Sequence, residues 1–222
     1  MVDMCVVVYL NNILIYSSNS TAHCKQVQEV LQCLYTNRLY LKPEKCEWHS
    51  ETVEYLGYIL SPSRLSMAQD KIQTILNWPE LQKVKDIQAF LGFANFYHRF
   101  IQGYLNIVVP LMCLTHKGVP WSFSNNCWKS FLHLKEAFTS ALVLAHWIPD
   151  TPITVKTDTS NYAVAAILSI TCSDNEIYPV TFHSCILSRA ELNYDTHDKE
   201  LLVIFKAFSN AHAVCYVSIA DN

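Results

Sequence analysis

Glycine is scarce in this chain, with four residues in 222. None is set in a phosphate-cradling loop, and no Gly-x-Ser-x-Gly nucleophile turn occurs. The nine cysteines are odd in number and include no Cys-x-x-Cys pair. That usage argues against a disulfide framework or a zinc site and for reduced thiols in an intracellular protein. The nine histidines lack the His-Glu-x-x-His spacing of a metalloprotease. Long hydrophobic runs are missing as well: Ile107 to Leu114 is too short to span a bilayer and contains Pro110. The opening Met1-Val2-Asp3-Met4 carries no basic region, so neither a targeting segment nor a membrane partner is expected. Charged residues are only 16% of the chain against 51% apolar. This excludes a disordered tail and supplies a real core for one large domain or two modest ones.

Net charge is −3, which is weak for a nucleic-acid partner, but its distribution is uneven. Residues 64–135 hold eight Lys or Arg against three Asp or Glu, while both flanking regions are acidic. A basic middle can track a phosphate backbone, and it can equally be the solvated face of a set of helices.

Two short β-branched runs open the chain, Val6-Val7-Val8-Tyr9-Leu10 and Ile13-Leu14-Ile15, around Asn11-Asn12. They read as a hairpin whose two-residue turn is the Asn pair, since Asn tolerates positive φ. A helix is expected to about Asn37, capped by Ser20 or Thr21, with Val27, Val30, Leu31 and Leu34 on one face. Lys45–His49 and Val53–Leu60 read as short strands. Helices are expected over Ala68–Trp78 and Val84–Ile101, the second with Phe90, Phe93, Tyr97 and Phe100 at core spacing. Pro110 and Gly118-Val119-Pro120 mark a connection, and a helix from about Asn125 to Leu142 follows, with Ser124 as N-cap. Strands are then expected over Ile153–Asp158, Ala163–Ile170 and Tyr178–Ser184, and a helix from about Asn193.

Several of these words are distinctive. Tyr9-Leu10-Asn11-Asn12-Ile13-Leu14-Ile15 resembles the palm hairpin of gypsy-type LTR retrotransposon reverse transcriptases, which reads Tyr-Leu-Asp-Asp-Ile-Leu-Ile. Tyr55-Leu56-Gly57-Tyr58 resembles the family's primer grip. Leu91-Gly92-Phe93-Ala94-Asn95-Phe96-Tyr97 is similar to its thumb, and Ala137-Phe138-Thr139-Ser140-Ala141 to its connection. Thr157-Asp158-Thr159-Ser160, Glu191-Leu192-Asn193-Tyr194 and Asp198-Lys199-Glu200-Leu201-Leu202 resemble words of its ribonuclease H domain. The resemblance runs from Val6 to about Phe208 in the family's motif order.

It implies an α+β chain: a reverse transcriptase palm remnant (1–63), a helical thumb and connection (64–145), and an incomplete ribonuclease H-like α/β domain (146–222). The implied parent activities are RNA-directed DNA polymerisation and cleavage of RNA in a hybrid. The implied cofactor is Mg²⁺, and the implied partners are a template–primer or an RNA–DNA hybrid. Leu56, Gly57 and Tyr58 would hold a primer, and Lys83, Lys85 and Arg99 would contact nucleic acid. Asp158 and Glu200 would be the first two ribonuclease H metal ligands, with Asp221 a candidate third if the tail from Val214 forms the next strand.

The chain also departs from the family. The two hairpin Asp positions are Asn11 and Asn12, which removes two negative charges from a site that must offset two dications and a triphosphate. The third polymerase Asp belongs on an earlier strand, which the chain is expected to begin too late to contain; Asp3 lies in the incoming strand. After Phe208 the family's Trp-Arg-rich helix end is replaced by Ser209-Asn210-Ala211-His212-Ala213. These departures imply a degenerate, catalytically inactive copy. Three other readings stay open: a residual metal-dependent ribonuclease H, a non-catalytic nucleic-acid-binding module, and a frame that folds poorly and does nothing.

Overall fold

The computed structural model describes residues 5–218, apart from 142, 149, 160–162, 173 and 189. The chain opens with the antiparallel hairpin β1 (Val6–Tyr9) and β2 (Asn12–Ile15), followed by helix α1 (Ser20–Thr36). The cap of α1 is Asn19, not Ser20 or Thr21: its backbone is extended and its Oδ1 accepts the Ala22 N–H at 2.8 Å. Capping from one residue earlier satisfies an N–H that would otherwise lack a partner. Val27 and Val30 are buried, and Val30 joins Cys5, Val6, Ile13 and Ile15 in a small cluster between hairpin and helix.

The strand expected over Lys45–His49 does not form. Pro43–Lys45 is a single 3₁₀ turn and Trp48 stays exposed, because no neighbouring strand offers this segment a ladder. Beyond it lie β3 (Val53–Tyr55), β4 (Tyr58–Leu60) and β5 (Arg64–Met67), then α2 (Gln69–Leu76) and α3 (Val84–Phe96). The Asp86 carboxylate accepts the N–H groups of Gln82 and Lys83 at 3.1 and 3.2 Å and so fixes the start of α3. The helix expected to Ile101 ends at Phe96 and passes into a 3₁₀ turn, His98–Phe100.

Pro110 is not in a connection. It sits inside α4 (Tyr104–Cys113), where Tyr104, Val108 and Leu111 are buried. A proline costs an interior helix about 3 kcal/mol, and burying side chains of this size returns ~1.5–3 kcal/mol each. Burial outweighs the lost backbone bond. The exposed connection begins after α4 and leads to α5 (Asn125–Thr139), whose cap is Ser124, accepting the Cys127 N–H.

After α5, β6 (Leu144–Ala145) returns to pair with β5 and completes a sheet in the order β3-β4-β5-β6. The last unit is a meander of β7 (Ile153–Thr159), β8 (Ala163–Thr171) and β9 (Ile177–Ile186), then α6 (Thr196–Ser218). The tail does not form a strand from Val214: its backbone is helical to Ser218.

The main core lies among α2–α5 and the four-stranded sheet, centred on Phe90, Phe131, Phe138, Leu111 and Ile87. Phe182 of β9 enters it and Ile167 of β8 packs against it, so one face of the meander rests on the helices. On the other face, Val203 and Ala207 of α6 bury against Val164 and Ala166, with Val155 beside them. No helix among the described residues is long and apolar enough to cross a membrane.

Candidate nucleic-acid and metal sites

Tyr9 pairs with Asn12 across the first hairpin, so the two turn residues are Leu10 and Asn11. This shifts the turn by one from the expected Asn pair: Asn12 already belongs to β2. Leu10 carries the positive φ, at 53°, which costs an L-residue about 1 kcal/mol or more. It is 85% exposed, and Asn11 and Asn12 are exposed beside it. The tip presents two neutral amides to solvent. The Tyr55 hydroxyl donates to the Val7 carbonyl at 3.5 Å and ties this hairpin to the second one.

Leu56 and Gly57 form the turn between β3 and β4, with φ of 54° and 78° and Tyr55 paired to Tyr58. Positive φ at both turn residues is the type I′ form of a tight two-residue hairpin. The space a side chain at Gly57 would take is filled by the Tyr97 hydroxyl and the Lys71 stem. Tyr58 points the same way. Its ring stacks on Phe96 and Phe100, with centroids 5.4 and 5.8 Å apart, and meets Tyr97 edge-on. Its hydroxyl donates to the Phe96 carbonyl at 3.0 Å, and burial pushes its pKa up to about 12. The hairpin is thus locked to the end of α3. Tyr97, at core spacing in the sequence, is the partner that sequence reasoning missed.

The three cations singled out in the sequence do not share one surface. Lys83 and Lys85 are exposed at the start of α3, Lys83 with its ammonium 3.9 Å from Asp86. Arg99 is half-buried. The 3₁₀ turn folds it into the aromatic cluster, where its Nε is buried without a hydrogen-bond partner. Burial lowers its pKa, and the neighbouring Tyr58 offsets part of that effect.

Asp158 lies near the end of β7, opposite Ala165 of β8, and is exposed. Side chains alternate along a strand, so Val155 and Asp158 point to opposite faces. Val155 packs with α6, whereas Ile167, opposite Lys156, packs toward the helical middle. Asp158 therefore belongs to the face turned away from α6, and Glu200 is an exposed residue of α6. Asp221 lies outside the described residues, and so does Ser160 of the Thr-Asp-x-Ser word. Among the described residues, no three His, Cys, Asp or Glu side chains gather as a metal cage.

Residues 2–60 match the family model described as reverse transcriptase (RNA-dependent DNA polymerase). Residues 123–218 match that of an RNase H-like domain found in reverse transcriptase. The transposon Tf2-7 and Tf2-3 polyproteins of Schizosaccharomyces pombe are 35% and 34% identical over 205 residues, 92% of this chain. The chain belongs to the retrotransposon reverse transcriptases. It spans 15% of the length of those polyproteins. Two solved foamy viral protease-reverse transcriptases, one in complex with ds DNA and one with RNA/DNA hybrid, share the fold. They superpose with TM-scores of 0.76 and 0.75 over 95% of this chain, and over 37% and 29% of their own, at 20% identity. In this reverse transcriptase-like chain, the reverse transcriptase match precedes the RNase H-like match, in the order of the resemblance.

Proposed function

We propose that this chain binds duplex nucleic acid without extending or cleaving it, on a palm remnant, thumb and partial ribonuclease H-like domain bounded near residues 63 and 145. The observation that carries this reading is the hairpin tip: both positions that would need carboxylates hold Asn11 and Asn12. Reverse transcriptase and ribonuclease H-like families generally use a divalent metal such as Mg²⁺. Mg²⁺ sheds water reluctantly and binds through carboxylates and substrate phosphates, so two neutral amides on an exposed turn do not fit it. Of the second candidate set, Asp158 and Glu200 are exposed carboxylates that no third described His, Cys, Asp or Glu joins as a cage. What remains is a basic middle, with Lys83 and Lys85 exposed on it, on a fold whose foamy viral relatives were solved holding ds DNA and RNA/DNA hybrid.

The test is a primed template with Mg²⁺ or Mn²⁺, run beside a hybrid-binding titration at several salt concentrations. No extension and no cleavage are expected, with binding that weakens as salt rises. Lys83→Gln and Lys85→Gln should each flatten the log–log salt slope by about 0.9. Template-dependent extension, cleavage abolished by Asp158→Asn, or no binding at low salt would each refute the proposal.

A further inference from the structure

Away from the sites above, the 3₁₀ turn, α4, α5 and β9 enclose a hollow of about 310 Å³, the lower end of the range that takes small ligands. All its walls come from residues 100–182. Phe100 and Phe182, both buried in the main core, give it an aromatic floor, with Ile107 of α4 beside them. The polar rim comes from Gln102 and from α5 and its C-cap. There His133, Glu136 and Ser140 recur every three or four residues along one face.

That rim accepts hydrogen bonds and is negative. The Ser140 hydroxyl donates to the Glu136 carbonyl at 3.0 Å, which commits its one proton and leaves only lone pairs to offer. Glu136 is exposed and forms no ion pair with any described residue, and a carboxylate accepts only. Gln102 and His133 can present either a donor or an acceptor. Glu136 and Ser140 also stand in and just after the last turn of α5, where the helix dipole adds partial negative charge. No Lys or Arg lines this hollow among the described residues. Lys129 lines a neighbouring one of about 280 Å³ and lies about 10 Å along the helix axis before Glu136.

An aromatic floor under a negative, proton-accepting rim suits a flat ligand that carries N–H donors and a positive charge. We propose that this hollow binds a small aromatic cation, its ring on Phe100, Ile107 and Phe182 and its N–H groups on Glu136 and Ser140. An anion meets repulsion at the same rim. The occupant touches the 3₁₀ turn, two helices and a meander strand at once, and so braces the helices against the meander. The assignment does not depend on whether the chain binds nucleic acid.

Benzamidine tests it, titrated into the full chain carrying ¹³C-labelled isoleucine methyl groups. Ile101 and Ile107 line the hollow, so their resonances should move, with a Kd of ~1 mM for so small a ligand, while those of Ile13 and Ile204 stay still. Benzyl alcohol should bind more weakly, and benzoate not measurably. Glu136→Gln should weaken benzamidine about fivefold, near the upper limit for an exposed charge pair. Glu136→Lys should exclude benzamidine and admit benzoate. Glu136 is exposed, so circular dichroism should not change in either variant. No movement of Ile101 and Ile107 up to about 10 mM benzamidine, equal binding of benzoate, or a Glu136→Gln variant that binds as tightly would overturn the proposal.

Discussion

Replacing Gly57 by Ala puts the strongest demand on the junction between the primer-grip-like hairpin and the thumb. The backbone at Gly57 has φ of 78°, and an added methyl meets the Tyr97 hydroxyl and the Lys71 stem. The left-handed conformation costs an L-residue ~1–2 kcal/mol. Forcing a methyl into a filled space adds ~1–3 kcal/mol, and the stiffer unfolded chain returns ~0.4–1 kcal/mol. The net expectation is a loss of about 2–4 kcal/mol. With a urea m-value of ~2 kcal/mol/M, the unfolding midpoint should fall by ~1–2 M. A double-mutant cycle separates the parts. Tyr97→Phe removes the hydroxyl, so Gly57→Ala in that background should lose the steric share and keep the backbone share. A loss below about 1 kcal/mol in the single variant, or the same loss with and without the Tyr97 hydroxyl, would refute the contact.

Two further expectations concern electrostatics. The Lys135 ammonium of α5 donates to the Leu76 and Trp78 carbonyls, at 3.0 and 2.7 Å, and thereby caps α2 from a distance. Lys135→Met leaves those carbonyls unpartnered and removes the ammonium from over the Phe131 ring; equilibrium denaturation should show a loss of about 1.5–3 kcal/mol. The Glu191 carboxylate, held by Lys206 and by Ser188, has its pKa lowered from 4.5 to about 2. A carboxylate depressed on folding stabilises the native state above its unfolded pKa and loses that contribution as pH falls through the folded value. Acid titration should therefore show stability declining between about pH 4.5 and pH 2, and Glu191→Gln should flatten the decline in that window.

Elements with strong periodicity and a clear cap were legible in the sequence, as α5 illustrates: Ser124 caps it and its Phe131, Leu134 and Phe138 are buried. The three strands of the meander were legible too, because alternation is a local signal. Pro110 was misread because proline's effect on a helix was weighed without the tertiary burial of Val108 and Leu111 around it. The Lys45–His49 run was misread because strand propensity does not announce whether a partner strand exists. At the candidate sites, the hairpin words identified the family, but residue types could not give direction. Arg99 turning inward and Tyr58 facing the thumb follow from the break after Phe96, which no local pattern marks. Asp158 and Glu200 shared a motif order, which names their elements, a strand and a helix, but not how far apart their carboxylates lie.

The two-residue strand β6 makes contacts far larger in reach than its length. Leu144 and Ala145 lie beside Leu65 and Arg64, so the chain leaves and re-enters the helical unit at one doorway. Ring closure over so many residues is entropically slow, and β6 should dock only after the helices have brought its ends near. Once shut, the doorway also guards against damage. A protease cut in the exposed stretch at 116–122 separates α4 from α5 along the chain but not in space. Strand pairing at the base and the Lys135 bonds to the end of α2 keep both halves in one particle.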